Sequence, residues 1–248
     1  MKFILKSKVN KTFFEMLIHE NKKSKTIIIL SGFPNNNNYD EIMYELFSQG
    51  YNVFFPRYLG MYQTEGIFLE ENLVEPLIEF IEFIRKGKVI NFWDDSEINF
   101  QTESITILGS SFAGAIALNI CSNTEINNCI LFSPEIDFKK HNELGDEQDL
   151  NHMGDFVRKG FKNCIRLKEG KLNDLLKARP ELSGTTKVNQ SKFLIYHDPN
   201  DKSVNIRHSE KFIKNNKGEL KKYLIGHGLK VELIKKYKRE ICEFIEKK

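Results

Sequence analysis

The sequence lacks the features that would place it among membrane, secreted or nucleic-acid-binding proteins. None of its 248 residues belongs to an apolar run of about 18 or more, the length that a bilayer-spanning helix needs. The first apolar stretch, residues 3–5, is too short for the hydrophobic region of a signal peptide. With 37 Lys and Arg against 34 Asp and Glu, the net charge of +3 shows no basic excess for a nucleic-acid partner. We therefore expect a soluble, cytoplasmic protein.

The sequence is also poor in cysteine. Its four cysteines, Cys121, Cys129, Cys164 and Cys242, form no C-x-x-C pair and show no regular spacing. In a chain of this length they indicate reduced, mostly buried thiols rather than a disulfide framework or a zinc site.

What the sequence does contain is an alternation of short apolar runs with longer segments of helical period. Strands are predicted at residues 26–30, 51–58, 104–109, 127–134, 191–197 and 219–225, and helices at 39–50, 69–87, 113–120, 209–216 and 230–248. This alternation indicates an α/β fold, with a mostly parallel sheet covered by helices on both faces. The length suits a single domain over residues 1–248.

Three segments depart from the alternation. Residues 1–7 and 11–20 resemble two strands joined by a polar turn, which predicts an antiparallel hairpin at one edge of the sheet. Residues 91–104 are predicted to form a surface loop. The polar segment 138–190 contains only scattered helical fragments, and we interpret it as a cap-like insertion above the sheet.

The junction between the strand at 104–109 and the following helix carries two adjacent serines. A serine on a strained strand-to-helix turn needs small residues two positions before and two after it. Ser111 meets this condition, with Gly109 and Ala113 in those positions and Gly114 next. For Ser110 the same two positions hold the larger residues Leu108 and Phe112, so Ser111 is the nucleophile candidate. The alternative is an ordinary helix N-cap, whereas a phosphate-binding loop is excluded because no G-K-[ST] follows.

A serine nucleophile needs a base, and the base needs a carboxylate that orients it. Asp201 follows the predicted strand 191–197, and His227 lies between two glycines after the last predicted strand. The order Ser111, Asp201, His227, each beyond the end of a strand, is that of the α/β-hydrolase triad.

From about residue 12 to residue 244 the chain resembles the α/β hydrolases, and within them the serine hydrolases related to prolyl oligopeptidase and the small esterases. The stretches that carry the resemblance are "LSGFPNN", "FFPRYLGMYQTEG", "LGSSFAGAIAL", "HDPNDKSV" and "GHG". The resemblance implies two oxyanion donors, the backbone N–H groups of Phe33 and Phe112. The chain departs from the family at Ser31, which stands where the family usually has histidine, whereas the glycine that follows is present as Gly32. "PRYLG", which contains Arg57, resembles the Y-R-G strand end of the family.

Other titratable residues compete for roles at the site. Asp198 and Asp137 are alternatives to Asp201 as the acid, but only Asp201 has the family's spacing. His197 is expected to be structural, and His19 and His208 to lie on the surface. His141 and His152 lie near acidic residues, yet their spacing matches no metal motif. We therefore expect no metal ion and no cofactor.

The resemblance implies a serine hydrolase acting on a small-molecule acyl substrate, most consistent with a carboxylesterase for small or medium esters. A serine peptidase or a thioesterase would use the same machinery, because fold does not choose among them. A non-catalytic ligand-binding scaffold is the alternative from another class, and its mark would be the loss of a triad member. The sequence does not predict the oligomeric state.

Overall fold

A computed structural model describes residues 3–35, 39–184, 188 and 191–247. The strands are β1 Leu5–Val9, β2 Thr12–Leu17, β3 Lys23–Leu30, β4 Asn52–Pro56, β5 Lys88–Ile90, β6 Glu97–Asn99, β7 Gln101–Ser110, β8 Asn128–Phe132, β9 Lys192–His197 and β10 Gly218–Lys222. The helices are α1 Asp40–Phe47, α2 Glu75–Arg85, α3 Ala113–Asn123, α4 Leu150–Gly160, α5 Leu172–Lys177, α6 Arg207–Asn215 and α7 Val231–Glu246.

Eight of the strands form one sheet in the order β1-β2-β4-β3-β7-β8-β9-β10. All neighbours from β4 to β10 in this order pair in parallel, whereas β2 pairs antiparallel with both β1 and β4. The predicted α/β fold with an antiparallel N-terminal hairpin is confirmed. Because parallel strands all end at one edge of the sheet, the residues that follow β7, β8 and β9 are neighbours in space.

The sheet is apolar on both faces because successive side chains along a strand point in opposite directions. On β3, Ile28 and Leu30 pack into the core cluster that includes residues of α2 and α3. Ile27 and Ile29 pack into the opposite cluster, which includes residues of α1 and α7. A strand that is buried on both sides needs no polar face, which explains why residues 26–30 do not alternate between apolar and polar residues.

Two sequence predictions are wrong in their boundaries. The helix predicted at 69–87 begins only at Glu75, with Pro76 in its first turn, where the missing proline N–H leaves no hydrogen bond unmade. The segment 91–104, predicted as a loop, contains β6, which pairs antiparallel with β5, and the start of β7 at Gln101. The alternation of apolar and polar residues in this segment is short and lies among many other polar residues, so it does not indicate a strand by itself.

The segment between β8 and β9 holds α4, α5 and two short 3-10 turns, Phe138–Lys140 and Pro180–Leu182. Isolated bridges join it to the segment after β4, between Met61 and Ile165 and between Phe68 and Leu167. Residues 185–187 and 189–190 of the predicted insertion lie outside the described residues.

All four cysteines lie in the described part of the chain. The four cysteines are free, with Cys121 and Cys129 buried and Cys164 and Cys242 half-buried. Within the described ranges, no helix has the length and apolarity required to cross a membrane.

Close packing at the start of α3 explains its small residues. A Cβ atom added to Gly114 would lie 2.4 Å from the Glu135 carbonyl oxygen and 2.6 Å from Pro134 Cβ. At Gly109 the nearest atom would be Leu131 Cδ2 at 3.0 Å, the end of a flexible side chain. The backbone after β8 can therefore approach α3 only where α3 carries no side chain.

We predict that Gly114→Ala lowers the free energy of unfolding by about 1–3 kcal/mol, because the added methyl group meets backbone that must move. Gly109→Ala should cost less, since Leu131 can shift. Gly160→Ala at the end of α4, where a Cβ would have only ordinary contacts, is the control and should stabilise by about 0.5–1 kcal/mol. Urea denaturation of the three variants tests this order. An equal loss in Gly114→Ala and Gly109→Ala would contradict it.

Candidate active site

Ser111 lies at the turn between β7 and α3 with a backbone φ of 51°. This left-handed conformation is uncommon for a residue with a side chain, and it is held by hydrogen bonds on both sides. The Ser111 N–H donates to the Phe132 carbonyl, and the Ser111 carbonyl accepts from the N–H groups of Gly114 and Glu135. The turn aims the hydroxyl out from the edge of the sheet, although the residue is only 9 % exposed.

The loop that carries His227 is shaped by its two glycines and by Asp198. Gly226 and Gly228 have φ values of 66° and 84°. The Asp198 Oδ2 atom accepts the N–H groups of Ile225 at 2.8 Å and Gly226 at 2.7 Å. Asp198 was considered from sequence as an alternative acid. Its carboxylate binds the backbone just before His227, and so it holds the loop that carries the imidazole.

Ser110 also holds this loop. Its Oγ accepts the N–H of Leu229 at 3.0 Å, and a Cβ on Gly228 would lie 3.6 Å from the same oxygen. The two serines therefore have separate contacts, because Ser110 binds the backbone of the histidine loop and Ser111 faces its ring.

Asp201 is a buried carboxylate with partners for both oxygens. Oδ1 accepts the N–H groups of Ser203 and Val204 at 2.9 and 3.1 Å, and Oδ2 lies 2.8 Å from His227 Nδ1. Burial disfavours its charged form, but the hydrogen bond and charge of His227, with those from Val204 and the Ser133 hydroxyl, outweigh burial and hold the pKa of Asp201 below its usual value.

Ser111, His227 and Asp201 form one hydrogen-bonded relay. The Ser111 Oγ atom lies 2.9 Å from His227 Nε2, on the opposite side of the ring from Asp201. Since a carboxylate can only accept, Nδ1 donates its hydrogen to Asp201, and Nε2 is left as the acceptor for the serine hydroxyl. The geometry thus joins the three residues that the sequence singled out.

Two backbone N–H groups near the serine donate to no backbone acceptor among the described residues. Neither Phe33 nor Phe112 donates a backbone hydrogen bond to another described residue. Gly32 brings the first of them close to the turn, because a Cβ at Gly32 would lie 3.4 Å from Ser111 Cβ. Phe112 immediately precedes α3, whose positive end favours a negatively charged oxygen here.

A cavity of about 470 Å³ opens above the relay, and its wall includes Phe33, Tyr39, Gln148 and Phe161. Burial of the Tyr39 hydroxyl raises its pKa to about 12, so it stays protonated at neutral pH. The aromatic rings at the turn are packed behind this wall, with Phe33 stacked on Phe68 at 4.7 Å between ring centroids. The site therefore offers a cleft that is partly aromatic and partly polar.

Other residues singled out by sequence lie away from the relay. Asp137 accepts the N–H of Lys139 at the start of a 3-10 turn. Arg57 is buried against the Phe55 ring and pairs with Glu15, and burial lowers its pKa to about 10.

The histidines outside the relay differ in burial. His197 is fully buried between the Ser209 hydroxyl and the Val204 carbonyl, and burial lowers its pKa. His208 was expected on the surface, and this is wrong, since it is 2 % exposed. His19 is half-buried and stacks on Phe47, whereas His152 is exposed on α4.

Sequence reasoning missed the loop-holding roles of Ser110 and Asp198. Both residues carried a local signal that was not used. Ser110 adjoins the strained serine, and Asp198 directly follows β9 as the first carboxylate at the sheet edge. Their partners, however, are backbone groups on a loop 27 to 119 residues away along the chain, and such pairings have no sequence pattern.

No protein-family model matches the sequence, and no curated protein matches it significantly. Solved structures do match. The esterase Pf2001 of Pyrococcus furiosus has a TM-score of 0.67 at 16% identity, covering 98% of this chain and 88% of that one. Est1E of Butyrivibrio proteoclasticus with bound ferulic acid has 0.66 at 16%, covering 98% and 100%. Mouse alpha/beta hydrolase domain-containing protein 10 has 0.61 at 12%, covering 98% and 99%. The chain has the α/β-hydrolase fold.

The depressed pKa of Asp201 predicts a pH-dependent stabilisation. A carboxyl group whose pKa is lower in the folded state stabilises the protein at pH values above its unfolded pKa of about 3.9, and this is lost as pH falls through the folded value. Asp201→Asn should therefore lose stability relative to the wild type at pH 7, and the difference should shrink below pH about 4.

Urea denaturation between pH 7 and pH 3 measures this difference. Asp155→Asn, which changes an exposed carboxylate on α4, is the control and should follow the wild type throughout. A constant difference between wild type and Asp201→Asn across the whole range would refute the pH dependence.

Proposed function

We propose that this protein is a serine hydrolase that cleaves carboxylic esters, with Ser111 as nucleophile, His227 as general base and Asp201 as the carboxylate that orients it. The observation that carries the proposal is the relay itself, with 2.9 Å between Ser111 Oγ and His227 Nε2 and 2.8 Å between His227 Nδ1 and Asp201 Oδ2. Both distances are within the reach that proton transfer requires. The left-handed backbone of Ser111, at φ 51°, supports the same role.

In the acylation step, His227 Nε2 takes the proton of the Ser111 hydroxyl while Oγ bonds to the ester carbonyl carbon. The carbonyl oxygen gains a negative charge and accepts hydrogen bonds from the N–H groups of Phe33 and Phe112. Such a donor is worth on the order of 10²–10³ in rate. Asp201, kept ionised by its hydrogen bonds, stabilises the imidazolium. The C–O bond then breaks, and His227 returns the proton to the leaving alcohol.

In the deacylation step, His227 takes a proton from water, whose oxygen attacks the acyl-enzyme carbonyl. The same two N–H groups stabilise the second tetrahedral intermediate. Collapse releases the carboxylic acid, and the proton returns to Ser111. The chemistry needs only the three side chains and two backbone groups.

Ester hydrolysis is favoured over other acyl transfers because the structures that this chain resembles include esterases. The cavity of about 470 Å³ suits a small or medium acyl ester. Phe33 and Phe161 on its wall favour an apolar or aromatic substituent. A thioesterase or peptidase would use the same relay, and a non-catalytic scaffold would have no need of a strained serine.

The segment 138–190 acts in this proposal as a small cap. Gln148 and Phe161 from this segment line the cavity beside Ser111 and His227, so the segment limits the size of the substrate.

The four free thiols accord with the cytoplasmic location predicted from sequence.

The relay predicts which variants react with a fluorophosphonate probe, which labels an activated serine. Ser111→Ala and His227→Ala should lose labelling, because one lacks the nucleophile and the other its base. Asp201→Asn should lower kcat on the order of 10⁴-fold. Ser110→Ala should still be labelled, since its oxygen binds the Leu229 N–H and not the imidazole.

Ser122→Ala, at an exposed position near the end of α3, is the matched control and should be labelled as the wild type is. Folding of each variant is checked by circular dichroism. Absence of labelling in folded wild-type protein would refute the hydrolase and favour the ligand-binding scaffold.

The substrate preference is predicted separately. With p-nitrophenyl esters of increasing acyl length, kcat/KM should rise to a maximum at short or medium chains and fall when the acyl group outgrows the cavity. Matched thioester and anilide substrates should be cleaved more slowly than the ester of the same acyl group. Faster cleavage of the thioester or the anilide would assign the protein to the thioesterases or peptidases instead.

A further inference from the structure

A second cluster of titratable side chains is buried beside the relay but takes no part in it. Its members, each at most 6 % exposed, are Glu135, His141, Asp146 and His208. They come from three parts of the chain: the turn after β8, the segment that follows it, and the first turn of α6. Burying two carboxylates and two imidazoles together is costly unless their charges are compensated.

Three of these side chains have metal-ligand geometry. The ligand atoms of Glu135, Asp146 and His208 all lie within 4.8 Å of one another. His208 Nε2 lies 3.0 Å from Asp146 Oδ2 and 3.5 Å from Glu135 Oε1. Tetrahedral coordination with bonds of about 2.0–2.2 Å separates ligand atoms by about 3.3–3.6 Å. The separation between His208 and Glu135 falls within that range, and the one between His208 and Asp146 is slightly shorter.

The second observation is an unsatisfied carboxylate oxygen. Glu135 is 2 % exposed, and its Oε1 atom accepts no hydrogen bond from any described residue. His208 Nε2 lies 3.5 Å from this oxygen, which is therefore aimed into the cluster. A buried carboxylate oxygen without a donor costs free energy, and a cation bound between Glu135, Asp146 and His208 would remove that cost.

The remaining contacts hold Glu135 and Asp146 in place. His141 Nε2 donates to the Gln148 carbonyl at 3.0 Å, and its Nδ1 lies 3.2 Å from Glu135 Oε2. Asp146 Oδ1 accepts the Asn205 N–H at 2.6 Å, and Oδ2 also accepts the Asn142 N–H at 3.2 Å. Outer contacts of this kind orient the ligands of metal sites.

We propose that Glu135, Asp146 and His208 bind a divalent transition-metal ion such as Zn²⁺ or Mn²⁺, with His141 as a positioning residue that holds Glu135. An imidazole ligand favours these ions over Ca²⁺ and Mg²⁺, which prefer oxygen alone. The two charges of the ion balance the two carboxylates. No sequence spacing revealed the site, because its ligands are separated by up to 73 residues.

The site would join the parts of the protein on which the relay depends. The Glu135 N–H binds the Ser111 carbonyl, and Asp146 binds the loop before α6. Gln148, whose carbonyl binds His141, lines the cavity above Ser111. A bound ion would thus fix the predicted cap to the serine turn, which is a structural role and independent of whether the protein hydrolyses esters.

The test uses the full-length protein and measures binding, not activity. Metal content is determined by inductively coupled plasma mass spectrometry after expression with added Zn²⁺ and gel filtration. Zn²⁺, Mn²⁺, Ca²⁺ and Mg²⁺ are titrated calorimetrically into chelator-treated protein, and Co²⁺ serves as a spectroscopic probe. We expect one tightly bound Zn²⁺ or Mn²⁺ per chain and the visible absorption bands of Co²⁺ bound by nitrogen and oxygen ligands.

Glu135→Gln, Asp146→Asn and His208→Gln should abolish stoichiometric binding, and His141→Asn should weaken it by about 10–100-fold. His152→Gln and Asp155→Asn, which change exposed residues of α4, are the matched controls and should bind as the wild type does. Wild-type protein that takes up no ion would overturn the proposal, and the cluster would then be compensated by imidazolium–carboxylate pairs. Equal binding by folded Glu135→Gln would overturn it too. If a variant fails to fold, the wild-type titration still decides.

Discussion

The conformation of Ser111 is the constraint on which the site depends. Its left-handed backbone is held by the carbonyl oxygen of Phe132 and by two N–H groups that converge on its own carbonyl. One of these comes from the helix that starts here and the other from the turn after β8. The turn therefore cannot relax without separating α3 from the neighbouring strand end. Strain of this kind persists only where the surroundings over-determine it.

The loop that carries His227 is also held by hydrogen bonds to its backbone. Asp198 accepts two consecutive N–H groups before His227, and Ser110 accepts one after it. Side chains that follow β9 and end β7 thus set the position of a loop that has no secondary structure of its own. The imidazole is placed by its neighbours' backbone contacts, and only then by its hydrogen bonds to Ser111 and Asp201.

Burial decides the electrostatics of the sheet edge. Asp201 is buried, yet the charge of His227 and the hydrogen bonds from His227, Val204 and Ser133 keep its charged form favourable, so the cost of burial is more than offset. Glu135 is equally buried but has one unsatisfied oxygen. Two carboxylates a few residues beyond adjacent strands therefore have different needs. The first is satisfied by protein donors, and the second calls for a cation or a proton.

The sequence by itself determined the alternation of strands and helices, the N-terminal hairpin and the position of Ser111, rather than Ser110, at the strained turn, because hydrophobic period and small flanking residues are local properties. It also predicted which aspartate and histidine would meet the serine, since parallel strands end at one edge. It could not place β5 and β6, the start of α2 or the buried position of His208. Nor could it show that Ser110 and Asp198 hold the histidine loop. These depend on contacts between residues far apart in the chain, and only tertiary packing brings such residues together.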